Sequence, residues 1–359
     1  MEIKYYFCIM RNFSFNSRPR VMLIYTGGTI GMIQNHSTGA FEAFNFDHLR
    51  ANVPELNRFD YAIQAYQFDP PIDSSDMTPE VWQKLVKIIN YNYDNFDGFV
   101  ILHGTDTMAY TASALSFMLE NLSKPVVLTG SQLPIGMLRT DGKENLITAV
   151  EIAAARDEEG RPMVPEVSVY FQQRLFRGNR TTKFSADNFN AFRSNNFPPL
   201  GHAGVDITYS TDLIRYPAPD SSLKPHFLLD SHVLAITLFP GLEEQLVRHL
   251  FAKELVKGLI LRTFGSGNAP QHSWLANALK EATDAGKVIV NITQCQTGSV
   301  EMGRYETGRQ LLDAGVVSGH NMTIEAAITK LMFLLGHYDD PRKVRYLMGQ
   351  SLAGELDRK

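Results

Sequence analysis

Short apolar runs rich in β-branched residues recur along the chain: VMLIY (21–25), GFVIL (98–102), PVVLT (125–129), VSVYF (167–171), VLAITLF (233–239), GLILRTF (258–264) and KVIVNIT (287–293). Runs this short, without polar alternation, fit strands buried on both faces. Longer amphipathic stretches separate them, such as PEVWQKLVKIINYNY (79–93) and NAPQHSWLANALKEATDAG (268–286). The alternation predicts βαβ units and an α/β fold in which helices cover both faces of largely parallel sheets. Each run ends in a small polar turn: TGGT, HGTDT, TGSQ, RGNRTTK, FPG, FGSG and TQCQTG. Ligands of open α/β sheets bind beyond the carboxyl ends of the strands, so these turns are expected to share one edge and carry the chemistry.

The stretch IRYPAPDSSLKP (214–225) follows neither helical nor strand periodicity and is read as a boundary. A chain of 359 residues suits two domains. The expected organisation is an N-terminal extension (1–20), a larger catalytic α/β domain (21–213) with a mainly parallel sheet and flanking helices, a linker (214–230), and a smaller C-terminal parallel-sheet α/β domain (231–359).

Composition narrows the function classes. Hydrophobic residues make up 44% and charged residues 20%, as in ordinary globular proteins. A net charge of -4 without a dense block of lysine or arginine argues against a nucleic-acid partner. No apolar run approaches the roughly 20 residues that span a bilayer, so no membrane partner is expected. The N-terminal MEIKYYFCIMRNF is interrupted by Glu2, Lys4 and Arg11 and is not read as a signal peptide. Two cysteines, Cys8 and Cys295, fit a reducing compartment and hence the cytoplasm. The ten histidines form no HExxH or HxH pair, no CxxC occurs, and nucleotide-binding glycine motifs are absent, so neither metal nor cofactor is expected.

The turns hold the candidate chemistry. In Thr26-Gly27-Gly28-Thr29 the glycines permit a sharp turn that exposes the Thr29 hydroxyl and nearby N–H groups. The same pattern also serves a structural turn with threonine as its cap. In HGTDT, Thr105 and Asp106 stand where a strand gives way to a helix, and either cap that helix or act chemically. A threonine hydroxyl is a poor nucleophile at neutral pH and needs a proton acceptor beside it and oxyanion donors opposite it. Lys183, at the end of RGNRTTK and near Arg180, becomes such an acceptor if burial or cationic neighbours lower its pKa. Thr105, Lys183 and Asp106 then form a nucleophile, base and orienter set. In PIDSSDMTPE (71–80), Asp76 or Thr78 caps a helix opened by Pro79, or Ser74 and adjacent N–H groups hold a carboxylate. Spacing leaves both readings open.

Together YTGGTIG, DSSDMTPE, FDGFVILHGTDTMAYTASAL, RGNRTTK and LILRTFGSGNAP resemble the bacterial cytoplasmic, type I, L-asparaginases, in the expected order from about Val21 almost to the C-terminus. The resemblance implies a homodimeric or homotetrameric amidohydrolase that cleaves L-asparagine to L-aspartate and ammonia without metal or cofactor. It implies Thr29 as nucleophile and Thr105 with Lys183 as the second catalytic group. Asp106 is implied to bind the substrate ammonium and Ser74 its carboxylate, with Asp73 and Ser75 beside them and backbone donors at Gly28 and Thr105 around the amide oxygen. Ser75 stands where relatives of dual specificity tend to carry glutamine, which implies a preference for asparagine over glutamine. Thr182, Arg262, Asn268 and Cys295 match residues around an effector asparagine site of some family members, which implies allosteric activation.

One departure concerns the loop after TGGTIG. The family commonly carries a tyrosine there, whereas Ile33 to Phe46 reads IQNHSTGAFEAFNF, with Ala40 or Phe41 near that position. Gly31 and Gly39 are the expected hinges if this loop closes as a lid. Three rival readings remain: a glutaminase-leaning amidase, an ammonia-supplying amidotransferase subunit, and a non-catalytic amino-acid sensor. The amidotransferase type carries an additional N-terminal domain, where about twenty residues precede the first strand here. The sensor needs no paired nucleophile and base.

Overall fold

The computed structural model describes residues 18–34, 41–42, 49, 51–251, 255–303 and 306–357. All the apolar runs named above become strands. The chain divides into two units, Met1–Ser194 with Pro198–Pro225, and Asn195–Phe197 with His226–Lys359.

In the first unit, β1 (Arg20–Tyr25) is followed by β2 (Ala62–Gln67), α1 (Pro79–Asn92), β3 (Gly98–Leu102), α2 (Met108–Met118), β4 (Val126–Thr129), α3 (Gly142–Ala154) and β5 (Val167–Phe171). Three further strands, β6 (Arg174–Arg177), β7 (Gly201–Ala203) and β8 (Ile207–Tyr209), complete an eight-stranded sheet of order β8-β7-β6-β5-β4-β3-β1-β2. Neighbours from β2 to β5 run parallel, and β6, β7 and β8 add antiparallel pairs. Every residue of β3, β4 and β5 is buried, which explains why their sequences are apolar but for Thr129 and Ser168: helices pack against the sheet.

The strand order also fixes where a ligand goes. The chain passes from β1 outward to β2, then crosses to β3 on the other side of β1. The carboxyl ends of β1 and β3 therefore border a topological switch point, where parallel sheets open a crevice. TGGT follows β1 and HGTDT follows β3. Thr26 joins the two ends, since its N–H and its hydroxyl both donate to Leu102 O at 3.0 Å.

The second unit carries β9 (Val233–Thr237), α4 (Glu244–Phe251), β10 (Gly258–Thr263), α5 (Ser273–Asp284), β11 (Val288–Thr293), α6 (Glu306–Asp313), β12 (Val317–Ser318), α7 (Ile324–His337) and α8 (Pro341–Met348). Its four-stranded sheet has the order β9-β10-β11-β12 and is parallel throughout. Leu259, Leu261 and Ile289 of the sheet pack with Val247, Phe251, Leu275 and Leu279 of α4 and α5. On α7, Lys330 forms a fully buried ion pair with Glu355 at 2.6 Å and donates to Met348 O at 3.0 Å. Glu355 also accepts from the N–H groups of Leu352 and Ala353. These bonds pair both charges and tie the C-terminal segment to the helix. Burial raises the Glu355 carboxyl pKa, but Lys330 and the two N–H donors outweigh it and hold the pKa below its ordinary value.

Candidate active site

Three loops of the first unit meet at the switch point, and glycine makes their contact possible. A Cβ on Gly28 would stand 2.5 Å from Gly104 Cα, so the TGGT and HGTDT backbones touch directly. Gly28 also holds φ at 92°, a conformation that side chains disfavour. A Cβ on Gly104 would stand 2.5 Å from Ser74 Oγ, which brings DSSD against HGTDT. Thr107 Oγ1 fastens this second contact by donating to Ser74 O at 2.6 Å.

Thr105, Asp106 and Lys183 come together. Lys183 Nζ donates to Thr105 Oγ1 at 2.9 Å and to Asp106 Oδ1 at 2.6 Å. Thr105 Oγ1 in turn donates to Gln132 Oε1 at 3.2 Å. The hydroxyl is thus held between an amine and an amide oxygen. Capping does not explain this arrangement: the residue preceding α2 is Thr107, whose hydroxyl is used on Ser74. Nor does fold stability, because the Asp106 side chain is 65% exposed and such pairs contribute only about 0–1 kcal/mol.

The path to Lys183 differs from the simple strand-end loop read from the sequence. After β5 the chain turns back as antiparallel β6, forms the short 3-10 turn Gly178–Arg180, and packs along α2, where a Cβ on Gly178 would lie 3.1 Å from the Ala112 Cβ. Travelling back along that helix brings Lys183 to its N-terminal end, where Thr105 and Asp106 wait. Thr182–Lys183 then pairs antiparallel with Phe192–Arg193.

Gln132 is a residue that sequence reasoning missed. Its Nε2 donates to Ala186 O and Asn188 O, both at 3.1 Å, so it links the Thr105 hydroxyl to the chain following Lys183. Asp141 supports it by accepting from the Gln132 and Leu133 N–H groups. Burial raises the Asp141 carboxyl above its ordinary value, with those N–H donors acting against the rise. The sequence marks TGSQ only as a strand-end turn, and its place after β4 is the signal that points to Gln132.

The other predicted residues take distinct places. Thr29 opens a short 3-10 turn, Thr29–Gly31, and is half-buried. Ser74 is buried, with only 4% exposure, and begins the 3-10 turn Ser74–Asp76. Asp73 and Ser75 are exposed and bond to each other: Asp73 Oδ1 accepts from Ser75 N at 2.9 Å and Ser75 Oγ at 2.8 Å. These bonds lower the Asp73 carboxyl pKa. α1 does open at Pro79 after Thr78, without a side-chain cap.

Of the effector candidates, Thr182 lies in the first unit and Arg262, Asn268 and Cys295 in the second. Within that second unit they gather at the carboxyl ends of β10 and β11. Arg262 Nη1 reaches Thr237 Oγ1 at 3.5 Å, Asn268 pairs with Phe264, and the exposed Cys295 donates its N–H to Thr293 Oγ1. In the loop after Gly31, Ile33–Gln34 pairs antiparallel with Phe41–Glu42. Gly39 and Ala40 lie outside the described residues, as does the N-terminal extension before Arg18.

Two buried aromatic side chains bond to the backbone of the TGGT and HGTDT loops. Tyr25, the last residue of β1, donates from its buried phenol to Gly28 O at 3.3 Å. His103 is fully buried; its Nδ1 contacts Gly104 O at 2.6 Å and its Nε2 contacts Thr111 Oγ1 at 2.9 Å, where Trp82 Nε1 also donates at 2.9 Å. Burial lowers the His103 pKa to about 4, with the Gly104 carbonyl acting weakly against it.

Comparison with known proteins identifies the family of the chain and matches its fold. The family described as Asparaginase, N-terminal matches residues 20–215, and the Glutaminase/Asparaginase C-terminal domain matches residues 232–348. The chain belongs to the asparaginase family. It is 47% identical to L-asparaginase 1 of Escherichia coli (strain K12), over 94% of this chain and 98% of that protein. It is also 40% identical to the 60 kDa lysophospholipase of Mus musculus, over 94% of this chain and 62% of that one. The crystal structure of L-asparaginase I from Vibrio cholerae superposes with a TM-score of 0.87 at 44% identity, covering 95% of this chain and all of that one.

Proposed function

We propose that the protein hydrolyses the side-chain amide of L-asparagine, yielding L-aspartate and ammonia. The observation that carries this reading is the Lys183–Thr105–Asp106 cluster beside the TGGT loop, at a switch point that serves chemistry better than stability. Thr29 Oγ adds to the amide carbon. Its proton passes through Thr105 and Lys183 to the amide nitrogen, which departs as ammonia and leaves an ester on Thr29. Water then adds to the ester carbon, a proton returns to the Thr29 oxygen, and L-aspartate is released.

Asp106 pairs with the substrate α-ammonium and Ser74 with its α-carboxylate, while Asp73 and Ser75 flank that end. Peptide N–H groups of the TGGT loop, beside Gly28, and of Thr105 receive the developing oxyanion. Asparagine is preferred to glutamine, by a margin set by one methylene, about 1–3 kcal/mol. Thr182, Arg262, Asn268 and Cys295 are assigned to an effector asparagine on the strength of the resemblance, as are assembly into a symmetric homodimer or homotetramer and a cytoplasmic location.

A coupled assay of ammonia release, with L-asparagine and L-glutamine compared on purified protein, tests the reading. Ammonia appears from both if the site is as drawn, and faster from asparagine. A faster rate from glutamine would make the protein a glutaminase. Ammonia from neither would leave an amino-acid sensor.

A further inference from the structure

The two threonine loops share a device. Each begins at a strand end with a buried aromatic side chain that bonds to the carbonyl just before the threonine: Tyr25 Oη to Gly28 O at 3.3 Å, and His103 Nδ1 to Gly104 O at 2.6 Å. We propose that Tyr25 and His103 are positioning residues that orient the Gly28–Thr29 and Gly104–Thr105 peptides, so that both threonine N–H groups face the reacting amide oxygen. This inference rests on the proposed amide hydrolysis and explains how its oxyanion donors are held.

A trans peptide is planar, and its C=O and N–H point in opposite directions. Fixing Gly28 O toward the Tyr25 phenol therefore turns Thr29 N–H the other way. Gly31 N–H also donates to Gly28 O at 3.3 Å and strengthens the hold. Gly31 lies so close over the Tyr25 ring that a Cβ there would stand 2.4 Å from Tyr25 Cζ, so the ring and loop fit as one unit.

On the other loop the hydrogen positions are determined by elimination. Gly104 O and Trp82 Nε1 have one role each, acceptor and donor. A neutral His103 ring must then carry its hydrogen on Nδ1, because a carbonyl cannot donate to it. Thr111 accepts from Trp82 and donates to His103 Nε2. Every partner is satisfied, and the chain Trp82–Thr111–His103–Gly104 runs in one direction from α1 to the loop. The lowered His103 pKa, about 4, keeps the ring neutral near pH 7.

The two peptides thus oriented are adjacent, since a Cβ on Gly28 would lie 2.5 Å from both N and Cα of Gly104. No described residue accepts a hydrogen bond from Thr29 N–H or Thr105 N–H. Donors fixed before the reaction need no reorganisation when charge develops on the amide oxygen, which is why their orientation affects turnover more than ground-state binding.

The test uses Tyr25→Phe, which removes one oxygen from a ring that stays buried, with His103→Leu and His103→Asn. An asparagine amide nitrogen takes the place of Nδ1 and restores the donor. Expected results are a kcat for asparagine about 10-fold lower in Tyr25→Phe and in His103→Leu, recovery of most of that loss in His103→Asn, and KM and L-aspartate affinity within about 2-fold of the parent. Thr111→Val, on the far side of the ring, lowers kcat in the same way if His103→Leu does not fold. Unchanged kcat in Tyr25→Phe and the His103 or Thr111 variants overturns the inference, as does equal loss in His103→Asn and His103→Leu. Absence of ammonia release by the parent protein counts instead against the proposed hydrolysis.

Discussion

Lys183 Nζ stands 2.9 Å from Thr105 Oγ1, although 78 residues separate them in sequence. The contact exists because β6 reverses the chain and the segment after it follows α2 back to that helix's N-terminal end. An amine and a hydroxyl at this distance exchange a proton without further movement. Thr29→Ala and Thr105→Ala are each expected to lower kcat by about 10³-fold or more, and Lys183→Met by about 10²- to 10⁴-fold, with unchanged circular dichroism. Near-parental turnover in any of them removes that residue from the reaction.

His103 links stability to pH. Its folded pKa, about 4, lies below the ordinary value of 6.5, so between these values the unfolded chain binds more protons than the native one. Its contribution is complete above pH 6.5 and is lost as pH falls through about 4, a change on the order of 3 kcal/mol. Thermal unfolding of the parent between pH 7 and pH 4.5 is expected to fall more steeply than that of His103→Asn, which lacks the titrating ring. Parallel curves contradict the assignment of a buried neutral imidazole.

The Lys330–Glu355 pair is buried on both sides, and breaking it from one side strands a charge. Lys330→Met is expected to destabilise the protein by about 3–5 kcal/mol in calorimetry, whereas Lys330→Met with Glu355→Leu recovers part of that loss. A double variant less stable than the single one would show that the backbone bonds of Glu355 matter more than its charge.

For the effector residues, the rate of ammonia release is expected to rise sigmoidally with asparagine concentration, and Thr182→Ala or Arg262→Ala to alter that shape. A hyperbolic curve for the parent protein at all concentrations removes allosteric activation.

The central strands were legible because burial on both faces favours apolar residues: GFVIL is wholly apolar, and VSVYF carries a single polar residue, the buried Ser168. β2 was not, because its sequence, AIQAYQ, belongs to an edge strand that is half exposed. The β5–β6 hairpin was hidden for another reason. Its turn places Gln172 and Gln173 at φ 45° and 66° without the glycine or asparagine that marks such turns. HGTDT and TGGT announced themselves by glycine spacing, and the structure gives that spacing a cause in the contact of Gly28 with Gly104. Gln132 acts through contacts with Thr105, Ala186 and Asn188 that are distant in sequence, whereas Tyr25 reaches Gly28 only three residues on.

Diffraction from crystals soaked with L-aspartate tests the central claim most directly. The account predicts the ligand ammonium against Asp106, its α-carboxylate at Ser74, and its side-chain carboxylate between Thr29 and Thr105. Ligand bound elsewhere, or bound here with its side chain turned away from both threonines, contradicts it.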